Sequence, residues 1–275
     1  IGFDQARFDA IAREITDYLR QLKLVPSSIV PVSARHGDNI ATRSDRMPWY
    51  HGPTILGALD SFPVAPVATD QPLRLPIQDV FKFDERRLVV GRIESGSLRV
   101  GDRLEFAPSF KQAKVASIEA WNAPTPLTAS AGQSVAITLD DELFIERGHV
   151  AVHSDRRPIL GHRASLRLFW LDAQPLKVGD RLKLKIATAR YNVEVEQIAA
   201  VIDVEKLQPT QASEIGRNAI AEITVRSRAL MALDLAADMQ RTGRGVLLRE
   251  GEIVGGALVL SAEASDVDKR LIGPD

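Results

Sequence analysis

LRVGDRL at residues 98–104 returns at 176–182 as LKVGDRL, with Arg99 and Lys177 the only difference. Each copy holds a Gly-Asp pair, Gly101-Asp102 and Gly179-Asp180. Glycine supplies a permissive backbone there, and aspartate can accept from its own turn. The echo therefore reads as one turn solution used twice, with a hairpin assigned to each of two like domains. Around the copies lie short runs rich in Val, Ile and Leu: LRLPIQDVF, RLVVGRI, DRLEFA, AKVASIEAW, QSVAITL and HVAVHS in the first set, ASLRLFWL, DRLKLKIA, YNVEVEQI, NAIAEITV and GRGVLLRE in the second. Turn residues separate them about every ten positions, the spacing of an all-β domain. From Leu73 to about Leu260 the chain is mainly β, and two closed antiparallel barrels fit best because closure leaves no exposed edge.

The texture upstream is different. Phe8, Ile11, Ala12, Ile15, Leu19 and Leu22 recur at helical spacing with charged residues opposite, predicting an amphipathic helix over 4–24. Pro26-Ser27-Ser28 ends it, and Ile29–Val32 reads as a short buried strand opening into Ser33-Ala34-Arg35. Gly52-Pro53-Thr54 starts a second helix carrying Ile55, Leu56, Leu59 and Phe62, with Pro53 suited to its first position. Trp49-Tyr50 reads as an anchor for that helix. This is α/β character with too few strands for a doubly wound domain. The organisation expected is 1–62 α/β, 63–72 a proline-rich linker, 73–157 and 158–260 the barrels, and 261–275 a polar tail or linker. Helices without the rest of an α/β domain should expose apolar surface, so residues 1–62 are expected to be unstable or to self-associate.

Composition excludes several classes. The chain has 275 residues, 45% hydrophobic and 26% charged, with a formal net charge of -1, so it has no overall attraction to nucleic acid or to an anionic membrane. With no cysteine there is no disulfide framework or thiolate metal site. No apolar run is long enough for a membrane span, and the N-terminus is not a signal peptide, which makes the cytoplasm the expected location. The opening Ile1-Gly2-Phe3 has no Met and reads as the start of a fragment.

Chemistry-bearing motifs are few. A strand ending in a tight turn can point backbone amides at a purine carbonyl, with Ser33 steadying the turn. Against that stands a plain strand end. There is no Gly-Lys pair for a phosphate loop, no Asp-x-x-Gly for a magnesium-bound phosphate, and no Asn-Lys-x-Asp to grip a base. The chain alone is therefore not expected to bind GTP tightly. His149 and His153 are expected on one sheet face rather than around a metal, and Asp140-Asp141-Glu142 as a polar turn. No catalytic residue and no metal ligand is assigned.

A resemblance then gathers these pieces. Residues 33–62 look like the end of the G domain of translation-factor GTPases, and PLRLPIQDVFKF (72–83) with VGRIESGSLRVGDRL (90–104) resembles the second domain of elongation factor Tu. MPWYHGPTIL (47–56), DDELFIERGHV (140–150), FWLDAQPLKVGDRLKLKIATA (169–189) and RTGRGVLLREGEIVGGALVL (241–260) resemble the GTP-hydrolysing large-subunit family of bacterial sulfate adenylyltransferase. Two positions depart from that family: Arg35, where Leu is common, and Gly255-Gly256-Ala257, where Gly-Ala-Gly is usual.

The resemblance implies elongation factor Tu-like domains 2 and 3 behind the C-terminal α/β remnant of a P-loop G domain, truncated at its N-terminus. Ser33, Ala34 and Arg35 would be the guanine edge, with the Ala34 amide donating to guanine O6. GTP and Mg2+ would be bound by the full-length protein, which would couple GTP hydrolysis to adenosine 5'-phosphosulfate synthesis in sulfate assimilation and cysteine biosynthesis. The partner implied is the small catalytic subunit, in a heterodimer, and an adenylyl-sulfate kinase could be fused or associated. Two other readings stay open: an elongation factor Tu-like translation factor gripping aminoacyl-tRNA, and a two-barrel interaction module without GTPase activity.

Overall fold

The computed structural model describes residues 2–21, 24–63, 67–83, 86–120, 124–203 and 208–266. Leu22 of the expected first helix, 64–66 of the expected linker and 267–275 of the expected tail lie outside them. The chain forms two compact units, residues 1–66 and 67–275.

In the first unit, helix α1 spans Gln5–Gln21 and α2 spans Ile55–Asp60. Ile29–Val32 does not form a strand. A strand is held by its neighbour's hydrogen bonds, and the described residues of this unit contain only isolated bridges, such as Ser33 with Asp38. Pro53 also falls outside its predicted place. Thr54 is the N-cap of α2, its Oγ1 accepting from the Gly57 amide, so Pro53 precedes the helix.

The second unit contains two closed six-stranded barrels. The first barrel's strands are β1 (Leu75–Phe83), β2 (Arg86–Arg92), β4 (Arg103–Ala107), β5 (Lys111–Glu119), β7 (Ser134–Leu139) and β8 (Val150–His153), with the short β3 (Ser97–Arg99) paired to β6 (Thr128–Ser130). They run in the order β1-β2-β7-β5-β4-β8, and β8 closes back onto β1. The second barrel uses β9 (Ile159–Trp170), β11 (Arg181–Ile186), β12 (Ala189–Asp203), β15 (Ile220–Leu233), β16 (Arg244–Arg249) and β17 (Glu252–Glu263). Its order is β11-β16-β17-β9-β15-β12, closed by β12 on β11, and β13 (Gln208–Thr210) extends β12. The ribbon β10 (Leu176–Lys177) with β14 (Glu214–Ile215) corresponds to β3 with β6.

Side-chain alternation fills each barrel. Along β9, Ala164, Leu166, Leu168 and Trp170 point inward, facing Ile223 and Val225 of β15 and Val193 and Val195 of β12 in one buried cluster. The first barrel encloses Leu75, Ile77, Leu104, Phe106, Ile118 and Ile137 in the same way. Between the barrels, Arg74 donates to both carboxylate oxygens of Asp234 at 2.8 and 2.9 Å and to the carbonyls of Leu73 and Arg156. Thr242 Oγ1 donates to Asp234 Oδ2 at 2.6 Å. Both charged side chains are buried, at 4% and 8% exposure, and Ala107, Leu160 and Ala232 form an apolar patch of their own.

The repeated Gly-Asp turn bonds itself as the sequence suggests. Gly101 and Gly179 take φ values of +92° and +89°, and the aspartates accept from the Arg99 and Lys177 amides at 2.8 and 3.1 Å. It is a corner, however, and not a hairpin. β3 leads in from its pairing with β6, while β4 leads out to β5 and β8; the second copy likewise passes from β10, paired with β14, to β11. The corner is pinned from outside: Gly101 N donates to Val115 O and Val115 N to Asp102 O, matched by Gly179 with Val195 and Val195 with Asp180.

Candidate nucleotide-edge turn

Residues 33–38 fold into a tight turn around one carbonyl. The amides of His36, Gly37 and Asp38 all donate to Ser33 O, at 2.9 to 3.2 Å, and Ser33 N reaches Asp38 O at 3.3 Å. Gly37 sits at φ +77°, where a glycine is favoured. Ser33 Oγ lies 3.0 Å from His36 Nδ1. Ala34 and Arg35 form the exposed tip, and the amides of those two residues take no part in the turn's own bonds. Ser33, Ala34 and Arg35 thus lie on one turn, with Ala34 and Arg35 exposed.

A buried polar knot holds the turn. Asn39, 1% exposed and at φ +57°, donates through Nδ2 to Pro31 O and accepts through Oδ1 from Ser44 N, both at 2.9 Å. Asp38 accepts from Ser44 Oγ at 2.6 Å and pairs with Arg46 at 3.1 Å. The carbonyls of Asn39 and Ile40 accept from Ile55 and Leu56, satisfying two amides at the start of α2. Sequence reasoning passed over Asp38, Asn39 and Ser44; the one signal was Gly37-Asp38-Asn39, a run suited to left-handed backbone. Trp49 and Tyr50, expected to anchor α2, meet α1 instead. Their rings lie 5.3 and 6.2 Å from that of Phe8 on α1, Trp49 Nε1 donates to Phe3 O, and the Tyr50 hydroxyl donates to Pro53 O. Burial pushes the Tyr50 phenol up from its ordinary pKa, against the opposing charge of Arg43.

Elsewhere the quoted motifs resolve into structure. Trp170 is fully buried and donates Nε1–H to Gln174 O at 2.9 Å. Arg249 lies 5.2 Å from its ring and is fixed by Asp172 at 2.7 Å and Asp180 at 3.0 Å. Trp-x-Asp-x-Gln therefore locks the second Gly-Asp corner to β16. Asp140, just after β7, accepts from the Lys114 amide of β5 at 2.7 Å. His153 approaches Asp102 at 3.3 Å, whereas burial holds His149 below its ordinary pKa, with Glu146 opposing and Lys111 adding to the effect. Among the described residues, no group of three His, Cys, Asp or Glu could hold a metal ion, and no helix is long and apolar enough to cross a membrane.

The fold, with its two closed barrels, has a counterpart among solved structures. The crystal structure of Sup35 complexed with GDP has this fold, with a TM-score of 0.67 at 20% identity over 96% of this chain and 66% of that one. Residues 163–260, the second barrel, match the family described as GTP-eEF1A C-terminal domain-like. By sequence, the chain is similar to sulfate adenylyltransferase subunit 1. It is 33% identical over 269 residues to that protein of Laribacter hongkongensis, covering 96% of this chain and 56% of the relative. It is also 30% identical to elongation factor 1-alpha of Pyrobaculum calidifontis, over 97% of this chain and 62% of that protein. The chain thus spans somewhat over half the length of these relatives.

Proposed function

We propose that the chain supplies the guanine edge and the two-barrel body of a GTP-hydrolysing sulfate adenylyltransferase subunit. In this reading, GTP hydrolysis drives synthesis of adenosine 5'-phosphosulfate from ATP and sulfate, and adenylyl transfer takes place on a small catalytic partner subunit. The observation that carries it is 33% identity to a sulfate adenylyltransferase subunit 1 along 96% of the chain. In this reading the Ala34 amide donates to guanine O6, and the Asn39 knot supports the turn that carries it. The residues present fit the base edge alone. With no Gly-Lys pair, they offer no cradle for the phosphates or for Mg2+, so no hydrolytic step is assigned to them. The barrels serve as a docking and transmission body, and the buried Arg74–Asp234 pair lets a push on one reach the other.

The test is co-purification with the small subunit of sulfate adenylyltransferase. Retention of the chain at physiological salt supports the reading, and loss on washing counts against it. The identity to an elongation factor 1-alpha favours one other reading, a translation factor gripping aminoacyl-tRNA. That reading requires aminoacyl-tRNA binding that weakens steeply as salt rises.

A further inference from the structure

The outer face of the second barrel carries a cleft of about 960 Å³ where β11, β12, β15 and β16 curve past one another. Its charge is lopsided. Arg181, Lys183, Arg190, Arg226, Arg228 and Arg249 line it, against Glu194 and Glu250 as the only carboxylates, in a chain whose formal net charge is -1. Some of these cations are already engaged: Arg181 with Glu194, Arg226 with Glu196 and Arg249 with Asp172 and Asp180. Lys183, Arg190 and Arg228 are exposed and make no ion pair with any described residue. Leu248, Lys183 and Asn192 lie abreast on three neighbouring strands, so apolar, cationic and amide side chains alternate across the floor.

We propose that this cleft docks an acidic polypeptide segment of a partner protein. Three cations with no ion pair among the described residues attract carboxylates without first breaking internal pairs. Leu248 and Ala229 give apolar contact to side chains between the acidic ones. A single-stranded nucleic acid fits less well. Its bases need aromatic platforms, and none of the residues lining the cleft is aromatic. The inference rests on the cleft alone and stands apart from the sulfate adenylyltransferase reading.

The test uses the whole chain with two fluorescent probes, a peptide of alternating glutamate and leucine and a single-stranded oligonucleotide of equal charge, followed by anisotropy at two salt concentrations. The peptide is expected to bind more tightly than the oligonucleotide. The triple variant Lys183→Glu, Arg190→Glu and Arg228→Glu is expected to weaken peptide binding by about tenfold or more. Reversing Arg92, Arg217 and Arg244, which are exposed and outside the cleft, changes net charge equally and should leave binding within about twofold. Circular dichroism of both variants establishes that each is folded. Equal losses in the two variants, absence of peptide binding, or preference for the oligonucleotide would each overturn the proposal.

Discussion

Helix α1 and strand β9 are both amphipathic in sequence, and they end very differently. β9 buries Ala164, Leu166, Leu168 and Trp170 inside a closed barrel, while α1 buries no residue, and its Ile15 and Tyr18 are 43% and 39% exposed. The same holds for Leu56, Leu59 and Phe62 in and after α2. Periodicity marks a face; only topology supplies the surface that covers it. A barrel covers its own strands because each inward side chain meets another across the ring. The first unit relies instead on the polar Asp38–Asn39–Ser44 knot and three aromatic rings.

The contrast can be broken most severely at the barrel junction. Arg74→Ala leaves Asp234 buried and partly unpaired and should cost about 3–5 kcal/mol in urea unfolding followed by circular dichroism. An apolar pair, Arg74→Met with Asp234→Leu, should recover most of that. A loss below about 1 kcal/mol would mean that the pair does not hold the barrels together. Asn39→Ala should cost about 1–3 kcal/mol, because Pro31 O loses a donor and Ser44 N an acceptor inside a buried loop. Its effect should appear in near-ultraviolet signals from Trp49 and Tyr50 while the barrels stay intact.

The next effect is smaller and tests the internal echo. Gly101→Ala and Gly179→Ala meet no steric neighbour but force alanine to φ near +90°, so each should cost about 1–2 kcal/mol. The two corners make matching bonds, so similar losses are expected; a large inequality would show the likeness to be superficial. In α1, Ile15→Ser should move stability by less than about 0.5 kcal/mol. Sedimentation velocity should at the same time show less self-association, if exposed apolar surface drives it.

The last prediction concerns pH. Burial lowers the His149 pKa, so the folded chain binds fewer protons there than the unfolded chain does. Its contribution is fully present above the unfolded value of about 6.5 and is lost as pH falls below it. His149→Gln should therefore flatten the decline in melting temperature between neutral pH and about pH 5.5, and an unchanged slope would remove His149 as a source of that decline.

How far the sequence could be read follows the same divide. The Gly-Asp turns and the alternation along β9, β11 and β12 were legible because glycine and period two are local signals. The corner geometry was not, since it depends on β6 and β14, only three and two residues long, which no window of sequence isolates. The great lengths of β12 and β15 were also hidden. Bulges near Val195 and Ile198, and a longer register shift after Arg226, interrupt the alternation that would have revealed them. At the candidate site, Ser33-Ala34-Arg35 could be placed on a turn, but the Asn39 knot could not be seen, because buried polar residues carry no periodic mark. Arg249 was likewise invisible as the partner of Trp170, lying far away in sequence.

The measurement closest to the central claim is incorporation of labelled sulfate into adenosine 5'-phosphosulfate by the complete gene product mixed with the small subunit, with GTP or GDP present. Synthesis stimulated by GTP, and reduced when Asn39→Ala loosens the Ser33–Ala34–Arg35 turn, is the result predicted. Synthesis indifferent to the guanine nucleotide, or none beside tight aminoacyl-tRNA binding, would contradict the account.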